Sequence, residues 1–137
     1  MITSDKQCLA SRKQLAMLKE SLTANLKKDI PDEIKSVSKA QLQELIDQIE
    51  SEVSEYECLK TLNLQDLEIH SVHDLMVTPI RYRIISHMSV DAFSLKVGVS
   101  ARQIHRYEAA NYSNANTSTL TKILEKLDVS LDGHVSP

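Results

Sequence analysis

One interior glycine, Gly98, constrains this chain more than any other residue; the second of its two glycines, Gly133, stands near the C-terminus. Gly98 separates two short amphipathic runs, Ser89–Val97 and Ala101–Tyr107. A glycine at that point lets the backbone turn through positive φ without steric cost, so two short helices can meet at a steep angle. The apolar residues suit such a corner. Phe93 and Val97 are four apart before the turn, Val99 follows it, and Ile104 and Tyr107 are three apart beyond it. Ser94 is small where the helices must approach closely. Ser100 reads as the N-cap of the second helix, with Gln103 three residues on completing a capping box. The pattern is that of a helix-turn-helix.

The outer face of the second helix carries Arg102, Gln103, His105 and Arg106. Arginine can grip guanine through two hydrogen bonds and glutamine can do the same for adenine, while both reach phosphates. A corner that serves packing alone would not need that face. Ala101, which opens the helix, can touch only a thymine methyl. Base reading therefore falls to Arg102, Gln103 and Arg106, with Ala101 at the margin. Ser89, Val90, Ser100 and His105 are the expected neighbours of the sugar–phosphate backbone. Asn111, Ser113 and Asn114 lie in the polar loop 111–119, which can donate to phosphates.

The run Met88-Ser89, Phe93, Val97-Gly98-Val99-Ser100, Ile104, Arg106-Tyr107-Glu108 resembles the Xre, or lambda-repressor-like, helix-turn-helix domain. The resemblance extends from about Ile80 to Val129. A helical hairpin, then Ile69-His70-Ser71, then this domain is similar to the layout of small bacterial Xre proteins, many regarded as regulators or HigA-like antitoxins. The resemblance implies a DNA-binding regulator, and it implies that Arg83 pairs with Glu108 to clamp the first and third helices of the domain. It also marks a departure: many relatives carry glutamine where this chain has Val90. Specificity is then either modest or leans more on DNA shape.

At 137 residues the chain can hold one compact domain and an extension. Scarce aromatics, with no Trp and one Phe, together with three Pro, favour helices over sheet. Cys8 and Cys58 are too few for a disulfide framework and read as small apolar packers in a reducing cytoplasm. No apolar run approaches the ~18 residues of a membrane span, and the polar start Thr3-Ser4-Asp5-Lys6 is unlike a signal peptide. A soluble, cytoplasmic bacterial protein, nucleoid-associated when bound, is the expectation. Net charge is −3, which disfavours nucleic acid until it is located. From Met76 to Ser113 five bases (Arg81, Arg83, Lys96, Arg102, Arg106) outnumber two acids (Asp91, Glu108). A local basic patch is what phosphate binding requires.

Toward the N-terminus, residues 4–28 show helical spacing, with Cys8, Leu15, Leu18, Leu22 and Leu26 on one side. Asp29-Ile30-Pro31-Asp32 stops that helix. A second is expected from Ser38, its hydroxyl the cap and Gln41 three residues on, with a seam of Leu42, Ile46, Ile49, Val53 and Tyr56. Lys6 to Lys28 holds six bases and one acid; Ser38 to Lys60 holds two bases and six acids. The helices can face one another as an antiparallel hairpin, or serve separately as a basic DNA arm and an acidic dock for a cationic partner. The seam of so small a hairpin is expected to continue into a symmetry mate or another protein.

Residues 63–75 read as a linker, in which Leu67-Glu68-Ile69-His70 alternates as a short strand would. Cys58, His70 and His73 make too thin a set for a metal, and neither metal nor cofactor is expected. Thr78 is expected to cap the next helix with Pro79 at its first position, and Ile80, Ile84 and Ile85 to supply its buried face. The last helix, 118–127, sets Leu120, Ile123, Leu124 and Leu127 inward, and Asp128 to Pro137 reads as a frayed tail. The expected architecture is all-α: a hairpin at 1–62, the linker, an Xre-type domain of four to five short helices at 76–131, and a tail at 132–137. The expected partners are double-stranded DNA, a second copy of the chain and, in the antitoxin reading, a protein toxin, with no membrane. Absence of a Gly-rich phosphate loop or a nucleophile with an identifiable base argues against an enzyme.

Overall fold

The computed structural model describes residues 1–27 and 29–137; Lys28, where the first helix was expected to end, and the side chains of Leu26 and Lys27 lie outside that description. The described residues form six α-helices and one 3-10 turn, with no strand: α1 Asp5–Lys27, α2 Asp32–Thr61, the 3-10 turn Leu64–Asp66, α3 Val72–Ile85, α4 Val90–Val97, α5 Ala101–Ala109 and α6 Thr117–Lys126. The fold is therefore all-α. It divides into two compact units, Met1–Leu59 and Lys60–Pro137.

In the first unit, the Ser4 hydroxyl accepts from the Gln7 N–H at 3.2 Å and the Gln7 amide oxygen accepts from the Thr3 N–H at 2.9 Å, which starts α1. Side chains then link the start of α1 to the end of α2 and the end of α1 to the start of α2: Asp5 with Tyr56, Arg12 with Glu57, Lys19 with Glu50, and Asn25 with Ser38. The two helices run antiparallel. Arg12–Glu57 and Lys19–Glu50 are about half exposed, so each contributes about 0–1 kcal/mol and mainly sets register. Burial of apolar surface stabilises the pair more: Ile2, Cys8, Ile46, Ile49, Tyr56 and Leu59 are all buried.

Two expectations need correction here. α2 begins at Asp32, not Ser38, because Pro31 lends its carbonyl to the N–H groups of Ile34 and Lys35. Ser38 lies inside the helix, and its hydroxyl accepts from the Asn25 amide at 2.6 Å rather than capping. Cys58 is exposed and so is no core packer, unlike buried Cys8.

The second unit opens on the 3-10 turn and an extended segment. Leu67 and Ile69 are half-buried and alternate with exposed neighbours, yet neither belongs to a strand. The alternation reflects packing: both line a cleft of about 380 Å³ with Tyr82, Leu127 and Val129. The expected tail is accordingly anchored at its start, where Val129 donates to the Leu124 carbonyl at 3.1 Å.

α3 starts at Val72, inside the expected linker. Its N-cap is Ser71, whose hydroxyl accepts from the Asp74 N–H at 3.0 Å. The Asp74 carboxylate takes the His70 N–H and the Arg81 guanidinium, and these bonds hold its pKa below the ordinary carboxylate range. Thr78 and Pro79, expected as cap and first residue, lie in the helix interior and are buried. Pro79 costs α3 one backbone bond, and the Thr78 hydroxyl donates to the Asp74 carbonyl at 2.6 Å beside that gap. Ile80, Ile84 and Ile85 face the core. α6 starts one residue before Ser118, capped by Asn116, whose side chain accepts from the Thr119 N–H at 2.8 Å. α4 packs on α5 and α6, and α6 on α3, around Phe93, Val97, Ile104 and Ile123, each 0% exposed.

Candidate nucleic-acid interface

The site is built on the α4–turn–α5 corner. Ser89 caps α4 by accepting from the Ala92 N–H at 3.0 Å. Gly98 ends it at φ 71° and ψ 29°, and the N–H groups of Gly98 and Val99 both reach the Ser94 carbonyl. The Ser94 hydroxyl in turn donates to the Val99 carbonyl, bracing the turn from inside. Ser100 then caps α5, accepting from the Gln103 N–H at 3.2 Å. The capping box is only half formed. The Gln103 side chain turns toward Arg106, accepting from its guanidinium at 3.3 Å.

Ile104 and Tyr107 bury one face of α5, and Arg102, His105 and Arg106 are exposed on the other. Gln103 and Ala101 are half-buried at the edge of that face, as is Val90 in the first turn of α4. Behind α5, Glu108 meets Arg83 edge to edge. The Arg83 Nε and one terminal nitrogen each donate to a carboxylate oxygen at 2.7 Å, and the side chains are 8% and 5% exposed. The other terminal nitrogen donates to the Met88 carbonyl at 3.1 Å, while the Met88 N–H returns a bond to the Arg83 carbonyl. One guanidinium thus ties α3, the entry to α4 and the end of α5 together.

The loop after α5 differs from a plain polar surface. Asn111 and Tyr112 both have positive φ, 51° and 62°. Asn111 is half-buried, and Tyr112 is 0% exposed with its ring 5.4 Å from that of Tyr107. Burial pushes the Tyr112 phenol pKa up, and its hydroxyl is buried with no hydrogen-bond partner among the described residues. Ser113 and Asn114, expected to donate to phosphate, are exposed, but their side chains already donate to the Ala110 and Arg106 carbonyls at 2.7 and 3.2 Å.

The basic patch also contracts. Arg83 is neutralised by Glu108 and Arg81 by Asp74, leaving Lys96, Arg102 and Arg106 against Asp91. Lys96 stands 5.8 Å over the Tyr82 ring. Lys122, which no sequence pattern singles out from the polar face of α6, brings its Nζ within 3.9 Å of the position a Gly98 Cβ would occupy. It adds a cation beside the turn.

This architecture and this corner define a helix-turn-helix domain, the DNA-binding class of fold. Residues 80–134 match the helix-turn-helix family of Xre-like domains, a span that covers α4, α5, α6 and only the C-terminal part of α3 from Ile80. No curated protein and no solved structure matches the chain. No helix among the described residues is long and apolar enough to cross a membrane.

Proposed function

We propose that the protein is a sequence-specific transcriptional regulator, a repressor that binds DNA as a dimer with one α5 helix in each major-groove half-site. The observation that carries this reading is the exposure of Arg102 and Arg106 on a helix whose back is fixed by Ile104, Tyr107 and the Arg83–Glu108 pair. Ala101, Arg102 and Arg106 approach bases, with Gln103 beside them on the same helix; Ser89, Val90, Ser100, His105, Asn111, Ser113 and Asn114 lie nearer the backbone. A helix of nine residues supplies few contacts, and two-fold pairing places two such helices about 34 Å apart. Leu9, Met17, Ile34 and Val37 are more than half exposed on the hairpin and give a second copy apolar surface to cover.

The test is a gel-shift with the DNA upstream of the protein's own gene against random duplex at two salt concentrations. Specific retention that weakens as salt rises is expected, since phosphate contacts release counterions. Equal affinity for both duplexes at both salts refutes the reading. A second reading, neutralisation of a basic toxin, draws on the exposed acids Glu33 and Glu44 near Ile34, Val37 and Leu45 on α2. It requires a neighbouring gene product that is toxic alone and co-purifies with this chain.

A further inference from the structure

We infer that Gln103 is a positioning residue for Arg106, and that the guanidinium so held reads a guanine, whereas Gln103 itself reads no adenine. The inference rests on the proposed DNA-binding function and assigns the division of labour within it.

Gln103 and Arg106 lie three apart, hence on one face of α5. The Arg106 terminal nitrogen donates to the Gln103 amide oxygen at 3.3 Å. The N-cap bond of Ser100 uses only the Gln103 backbone N–H, at 3.2 Å, and would survive loss of the side chain. The Arg106 backbone carbonyl also accepts the Asn114 amide at 3.2 Å, which ties the helix to the following loop and leaves the guanidinium to Gln103. A guanidinium has five N–H donors and no acceptor. One donor spent on Gln103 leaves a pair free for the N7 and O6 acceptors of guanine.

A bidentate grip on adenine would need the Gln103 amide oxygen and nitrogen presented together at the groove. The oxygen is turned along the helix to Arg106, and the side chain is half-buried while Arg106 is exposed. The longer, charged and exposed group is the reader and the sheltered amide its support. An arginine restrained before binding surrenders less rotamer freedom when it docks, so the restraint strengthens discrimination.

The experiment selects duplexes from a randomised pool with the full-length protein, then titrates duplexes carrying each base pair at the enriched positions. Wild type, Arg106→Ala, Gln103→Ala and Gln103→Glu are compared, with circular dichroism as the control for folding. Wild type is expected to prefer guanine at one position by roughly 5- to 150-fold, and Arg106→Ala to abolish that preference. Gln103→Ala should weaken the same preference by roughly two- to tenfold and leave every other position as it was. Gln103→Glu should restore it, since a carboxylate also accepts from Arg106, while lowering affinity for all duplexes through its charge. Loss of an adenine preference elsewhere in Gln103→Ala makes Gln103 a reader and overturns the inference. Unchanged preferences overturn it too, reducing the pair to an incidental surface contact. Enrichment of no sequence by the wild type removes the DNA-recognition reading itself.

Discussion

Replacing Glu108 by leucine should unfold the DNA-binding unit under conditions where the wild type is stable. Both partners of the Arg83–Glu108 pair are more than 90% buried and joined by two bonds of 2.7 Å. Removing one member leaves the other charge buried and deprived of its two-bond partner, which costs about 3–5 kcal/mol. A small domain has only about 5–15 kcal/mol in total. With a urea m-value of about 1.5 kcal/mol/M, the loss lowers the midpoint by roughly 2–3 M. Arg83→Met should cost a similar amount. The double variant Arg83→Met/Glu108→Leu is the informative one. It buries no charge, and its remaining deficit includes the donor lost at the Met88 carbonyl, about 1 kcal/mol. Urea unfolding followed by far-ultraviolet circular dichroism should therefore show the double variant more stable than either single one. A single-variant loss below about 1 kcal/mol, the range of exposed ion pairs, would refute the reasoning. So would two losses that simply add.

Two further substitutions test the corner and the loop. Tyr112→Phe removes a hydroxyl that is buried without a partner among the described residues, so thermal unfolding should show stability unchanged or raised by up to about 1 kcal/mol; a clear loss would mean the hydroxyl is bonded. Gly98→Ala meets no clash, its nearest neighbour being Lys122 Nζ at an ordinary contact distance of 3.9 Å, so its cost is the left-handed backbone alone, about 1–2 kcal/mol, read from the shift in urea midpoint.

The parts of this structure legible in the sequence are those set by local backbone chemistry and periodic burial. Gly98 and Ser100 announce themselves because left-handed backbone and an orphan N–H each admit few residue types. The seam from Ile46 to Tyr56 follows from its spacing. Sequence and structure part where the same local signal occurs twice. Ser38-x-x-Gln41 looks like a capping box, but a carbonyl can start a helix, and Pro31 does so ahead of it, at Asp32. Thr78-Pro79 looks like a helix start, yet Ser71 with Asp74 three residues on also caps, and the earlier cap prevails. Tyr112 gives no signal because it sits among Asn, Ser and Ala, and only tertiary packing turns its ring inward. Charge counting fails for the same reason: composition cannot tell that Arg81 and Arg83 are spent on Asp74 and Glu108.

The bonds that Arg83 extends to Met88 and Glu108 have a consequence for how the domain meets its target. Three segments share one anchor, so α5 cannot fray without stranding a buried ion, and its partly ordered states are suppressed. On the proposed function, the helix would arrive at a groove already shaped, with little ordering entropy lost on contact. Selectivity would then come from which duplex fits a rigid probe, not from which duplex can induce one.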